Sequence, residues 1–299
     1  MPNWFKIALV AALPVLSHAH TISPFILPES FDVTTPSVSF QSAITIEKFF
    51  VAGNNFKTNY VVTQPDGQSQ VLSPAATLKR FSVAEFDLPK EGTYRVMTQD
   101  ALGNSPKYAL IDGRWLRVRP AFLGQPKAPE GDKKPEQANA NRPAGQEGNK
   151  MPPRMIQEDQ VPANAQTFSV TSHFVAETYV TKGKPSAIPA PSNKGFEFKL
   201  TTHPSELYAG ESLKGQVLFN GKPVSNLNME VFKGAGAYDR NAEREETQAK
   251  TNNKGEVEIK FEKPGLYLIT TTYPEANADN SKKPAAETWT YGLTVEVTE

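Results

Sequence analysis

Short runs of β-branched and aromatic residues, broken every few positions by Gly, Pro or Asn, fill this chain, and no segment repeats its apolar residues at the helical period. That pattern restricts the fold to β-structure. In "GEVEIKF", Val257, Ile259 and Phe261 alternate with Glu256, Glu258 and Lys260, which is the signature of a strand with one wet face. "PDG" at Pro65 to Gly67 and "NGKP" at Asn220 to Pro223 supply hairpin turns. "LPKEGTYRVMT" (Leu88 to Thr98) repeats as "FEKPGLYLITT" (Phe261 to Thr271), with a Gly two residues before a Tyr in each. A late sandwich strand is entered this way, its Tyr hydroxyl tied back to backbone at the corner, so Tyr94 and Tyr267 are expected in that role. The expected fold class is all-β: two Ig-like Greek-key β-sandwiches with a long disordered polar insertion.

The opening "MPNWFKIALVAALPVLSHAH" has one basic residue, a short apolar run and Ser17-His18-Ala19, the pattern of an export signal cleaved after Ala19. Residues 1–19 are therefore expected to be a signal peptide, and the mature chain to be periplasmic without a membrane span. From Gly124 to Gln160 the chain is rich in Pro, Gly, Gln, Asn and charge, and such a stretch buries too little to offset its ordering entropy. The expected domains are an N-terminal sandwich over 20–185, disordered at 121–165, and a C-terminal one over 195–299. "QTFSVTSHFVAETYVTKGKP" (Gln166 to Pro185) is assigned to the first sandwich, with the joint at "PAPSNKG" (Pro189 to Gly195).

The chain has no cysteine, which excludes disulfides and thiolate metal sites. Lys plus Arg and Asp plus Glu stand at 32 each, so no net basic field attracts nucleic acid. Neither G-x-S-x-G, H-E-x-x-H nor a phosphate-binding glycine loop occurs, and no catalytic residue is nominated. Cleavage after Ala19 would leave His20 with a free amine beside its imidazole, a chelating pair for a divalent transition metal. His173 and His203 are the other mature histidines, so the candidate metal ligands are His20, His173 and His203. Met151 and Met155 offer thioethers, but two Met within a polar stretch are ordinary composition.

"FEFKLTTHPSELYAGESLKGQVLFNGKPVSNLNMEVFKG", with "TNNKGEVEIKFEKPGLYLITTTY" and the early "HTISPFILPES", resembles a bacterial periplasmic family of uncharacterised function often labelled nickel- or cobalt-uptake associated. The second half is also similar to carboxypeptidase-regulatory and other Ig-like modules. The resemblance implies periplasmic residence and handling of nickel, cobalt or a similar divalent ion, with a membrane metal transporter or envelope protein as partner. Of the site residues, only His20 matches a family feature.

Three functions fit these residues. The first is an accessory protein binding nickel, cobalt or copper through His20. The second is a non-catalytic Ig-like envelope module that binds a protein or glycan. The third, a copper oxidative enzyme built on a histidine brace, needs an aromatic face around His20, and "TISPFILPES" supplies only Phe25.

Overall fold

The computed structural model describes residues 22–45, 53–99, 101–120, 154–234, 245–277 and 279–299. The first strands are β1 (Ser23–Pro28), β2 (Asp32–Val33), β3 (Ser37–Thr45), β4 (Asn59–Thr63), β5 (Ser69–Leu72), β6 (Ala76–Thr77), β7 (Ser82–Asp87), β8 (Gly92–Gln99) and β9 (Ala101–Leu102). A second group follows: β10 (Lys107–Ile111), β11 (Arg114–Arg119), β12 (Met155–Gln157) and β13 (Thr167–Ser169). The remainder are β14 (Thr171–Lys182), β15 (Phe196–Leu200), β16 (Ser212–Phe219), β17 (Lys222–Pro223), β18 (Asn228–Lys233), β19 (Glu246–Lys250), β20 (Glu256–Lys260), β21 (Gly265–Tyr273) and β22 (Glu287–Val297). Apart from a single 3-10 turn at Glu158–Gln160, all the regular structure described is strand, so the chain is all-β.

One ten-stranded sheet organises the molecule, with the order β19-β18-β21-β22-β14-β8-β4-β5 and with β2 and β9 also paired to β14. Its centre is β14. The first part of that strand pairs in parallel with β22, from Thr171↔Glu287 to Thr178↔Thr294, and its last residues pair antiparallel with β8, Tyr179 opposite Arg95. The segment expected in the first sandwich alone is therefore shared. β14 thus joins strands from before and after the expected joint at Pro189 to Gly195 in one sheet.

Successive residues of β14 serve different cores because side chains alternate across a sheet. Phe174, Ala176 and Val180 join Ile26, Val38, Phe40, Phe86, Tyr94 and Val96, where the sheet β1-β3-β7-β6 covers one face. Val175 and Tyr179 join Phe196, Phe198, Leu213, Val217, Ile269 and Leu293, where β15, β16 and β20 cover the other. Burial on both faces explains why most of β14 reads as a continuous buried run. A third cluster, Phe25, Ala43 and Leu268, packs the first covering sheet against β21.

Both tyrosine corners form. The Tyr94 hydroxyl donates to the Lys90 carbonyl at 2.8 Å, and the Tyr267 hydroxyl to the Lys263 carbonyl at 2.8 Å. The preceding Gly92 and Gly265 have φ of 126° and 143°, which a side chain disfavours, so glycine recurs with the tyrosine for a backbone reason. Both hairpins form too: β4 pairs β5 around Gly67, and β16 pairs β17 across Asn220 and Gly221, both at positive φ.

The expected disorder at 121–165 needs correction at its end. Residues 121–153 lie outside those described, but Met155–Gln157 form β12, parallel to β11, followed by the 3-10 turn. The order β12-β11-β10-β13 makes a separate four-stranded sheet, placed in the chain between β9 and β14. Composition misled there because β12 draws its hydrogen bonds from a neighbour far away in sequence.

Candidate functional site

The candidate ligand His20 lies outside the described residues, as does Met151. His173 stacks on Trp289 with ring centroids 4.8 Å apart and planes 9° apart, and its Nε2 is 3.4 Å from Glu287 Oε1. His203 has both ring nitrogens occupied: Nε2 lies 3.0 Å from the Ser186 carbonyl and 3.1 Å from Thr93 Oγ1, and Nδ1 lies 2.7 Å from Ser205 Oγ. Since a carbonyl only accepts, Nε2 carries the proton and Nδ1 accepts from Ser205. Thr93 is paired with Thr181, so His203 sits eight residues beyond His173 along β14. At a rise of about 3.3 Å per residue that is about 26 Å, and the two imidazoles do not share an ion. Among the described residues no group of three or more His, Cys, Asp or Glu is placed to hold a metal.

A charged cluster unsuspected from the sequence lies between β8, β14, β15 and β22. Arg95 Nε donates to Glu177 Oε1 at 2.6 Å and Nη1 to Glu197 Oε1 at 3.2 Å. Tyr179 and Tyr291 each donate to Glu177 at 2.6 Å, and the Ser192 amide donates to Glu197 at 2.7 Å. Burial opposes the charge of Arg95, but Glu177, then Tyr179 and Glu197, hold the guanidinium well above its ordinary value, so it stays protonated. Burial, seconded by Glu177, pushes both phenols well above 10.0, so they remain donors. Arg95, Glu177 and Glu197 are only 4%, 0% and 1% exposed. Carboxylates this enclosed meet no substrate. Their chemistry is to fix β8, β14 and β22 against β15, and His203 adds a second tie through Thr93 of β8.

One face of the sheet β12-β11-β10-β13 carries side chains that belong to none of the three core clusters. Its register sets Phe168 opposite Tyr108, Tyr108 opposite Arg117, and Arg117 opposite Met155, a row across all four strands. Trp115 and Arg119, each two positions from Arg117 on β11, share that face, whereas Ala109, Leu116 and Val118 are buried on the other. Phe168 stacks on Tyr108 at 5.7 Å and meets Trp115 edge-on at 5.0 Å. Lys283 Nζ stands 4.5 Å above the Phe168 ring, a cation–π contact that holds the loop before β22 to this sheet. Arg117 and Arg119 are exposed, and their guanidiniums have no partner among the described residues. Beside them runs a groove of about 540 Å³, bordered also by Asn104, Ser105, Lys107 and Glu158. Of these residues only Met155 was named above, for its thioether. The signal for them is "RWLRVR", which places Trp115, Arg117 and Arg119 on one side of a strand.

Among the described residues no helix is long and apolar enough to cross a membrane. No curated protein matches the sequence. Solved structures similar to it include Escherichia coli alpha-2-macroglobulin activated by porcine elastase, at 10% identity and a TM-score of 0.23, covering 92% of this chain and 20% of that one. The chain thus spans a fifth of that protein's length. The D0-D1 domain of Intimin matches at 10% identity and a TM-score of 0.21, with 92% and 97% covered, and chicken CNTN1 FN1-FN3 domains at 10% and 0.19, with 93% and 69% covered. Scores this low do not define a shared fold, and the topology above stands on its own. The model of one family, a domain of unknown function designated DUF4198, matches residues 17–275, most of the chain, and the protein therefore belongs to that family.

Proposed function

We propose that the protein is a non-catalytic, Ig-like β-sandwich module of the cell envelope that binds a protein or a glycan, and that it does so through the exposed face of β10 to β13. One observation carries this reading. Tyr108, Phe168, Arg117 and Arg119 share one sheet face, the two exposed guanidiniums lack partners among the described residues, and none of the four belongs to the clusters that hold the central sheet. Aromatic and arginine side chains are the ones enriched where proteins bind partners. The leader-like N-terminus supports an envelope location.

Hydrogen exchange with and without soluble envelope glycans and envelope proteins tests the reading. A ligand that slows exchange in β10 to β13, and fails to do so in Arg117→Gln/Arg119→Gln, supports it. Titration of nickel and copper into a chain beginning at His20, and into one with an extra residue before it, tests the metal function. A single tight site lost in the extended chain, with no ligand protecting β10 to β13, would place metal binding ahead.

A further inference from the structure

We infer that the ligand of this face is an acidic glycan, its carboxylates held by Arg117 and Arg119 and a sugar ring laid against Tyr108. The inference rests on the binding-module reading and names its ligand class. Positive and negative residues balance at 32 each over the whole chain, so two guanidiniums on one strand without a partner among the described residues are a local excess rather than part of a general field. Among the described residues Glu158 is the one acid bordering the groove, and Lys107 Nζ is 3.9 Å from it. The free charge that the described residues turn to the groove is therefore cationic. Arg117 and Arg119 stand on the same side of β11, about 7 Å apart along the strand, and each fork can take a carboxylate in two parallel hydrogen bonds.

Three features point to a glycan among anions. Tyr108 is half-buried on the sheet face and stacks on Phe168, whose ring Lys283 also covers, so it is on Tyr108 that C–H groups of a sugar can pack. An extended peptide would instead add to a strand edge, where the free backbone groups are. Asn104 and Ser105 border the same groove with an amide and a hydroxyl, which suit sugar hydroxyls. A lipid surface is disfavoured because Met155 is the only exposed large apolar side chain in the row, at 43%, and offers no wedge to enter a bilayer.

Calorimetric titration with tetragalacturonate as the probe tests the inference, with cellotetraose as the neutral counterpart and tetra-aspartate and phosphatidylglycerol vesicles as the other anions. The expected result is binding of tetragalacturonate at least tenfold tighter than of cellotetraose, weakened by added salt. Arg117→Gln/Arg119→Gln should lower that affinity tenfold or more without changing the melting temperature, and Tyr108→Ala should lower it severalfold. Equal affinity for the neutral sugar, or indifference to the double substitution, overturns the inference. Tighter binding of tetra-aspartate or of vesicles also overturns it, but leaves the face as a binding surface. Failure of every probe together with no protection of β10 to β13 by any envelope ligand removes the binding-module reading as well.

Discussion

Glu177 shows how much one side chain can hold in this molecule. Its two oxygens accept from Arg95, Tyr179 and Tyr291, so a single carboxylate ties together three strands of the central sheet. Removing one partner of a buried pair leaves an uncompensated charge, so Glu177→Gln should destabilise the protein by about 3 kcal/mol or more in denaturant titration. Glu245→Gln breaks the pair with Lys263, whose side chains are 53% and 58% exposed, and should leave the midpoint unmoved, because water already screens that charge. The phenols add a pH dependence. Both titrate higher in the folded chain than in the unfolded one, so their contribution is whole below the ordinary phenol value of 10.0 and is lost as pH rises past it, when the unfolded chain releases protons that the folded chain retains. Melting temperature should fall steeply above about pH 10, and Tyr179→Phe with Tyr291→Phe should flatten that fall.

At the scale of elements, β14 and its neighbour β22 decide the architecture. They run in parallel, which no hairpin can arrange, and β1 crosses β22 so closely that a Cβ on Gly292 would lie 2.0 Å from the Pro24 carbonyl oxygen. Neither backbone can yield without loss of packing at Phe25 and Leu268, which are fully buried. Gly292→Ala should therefore destabilise by about 2 kcal/mol or more, measured by thermal or denaturant unfolding. "TYGLTV" shows a glycine inside a strand, and such a glycine marks close approach of another backbone without naming it. The tyrosine corners are the opposite case: Gly92 with Tyr94 and Gly265 with Tyr267 were readable because the hydroxyl reaches only four residues back.

For the whole molecule, the pairing of β14 with β22 joins the two expected sandwiches through one sheet. Separating the halves would expose the edges of β14 and β22 and strip Arg95 of Glu197. The described core should unfold in one transition, with calorimetric and van't Hoff enthalpies in agreement, whereas independent domains would give two. Local order determined what the sequence alone could establish: the all-β class, the strand at Glu256 to Lys260, both hairpins and both corners follow from alternation and turn chemistry within a dozen residues. The parallel pairing of β14 with β22, the structured end of the polar stretch at β12, the separation of His173 from His203, and the Arg95 cluster were decided by tertiary structure. Each depends on which distant strands meet and in what register, and alternation within a strand says which residues share a face but not what that face meets.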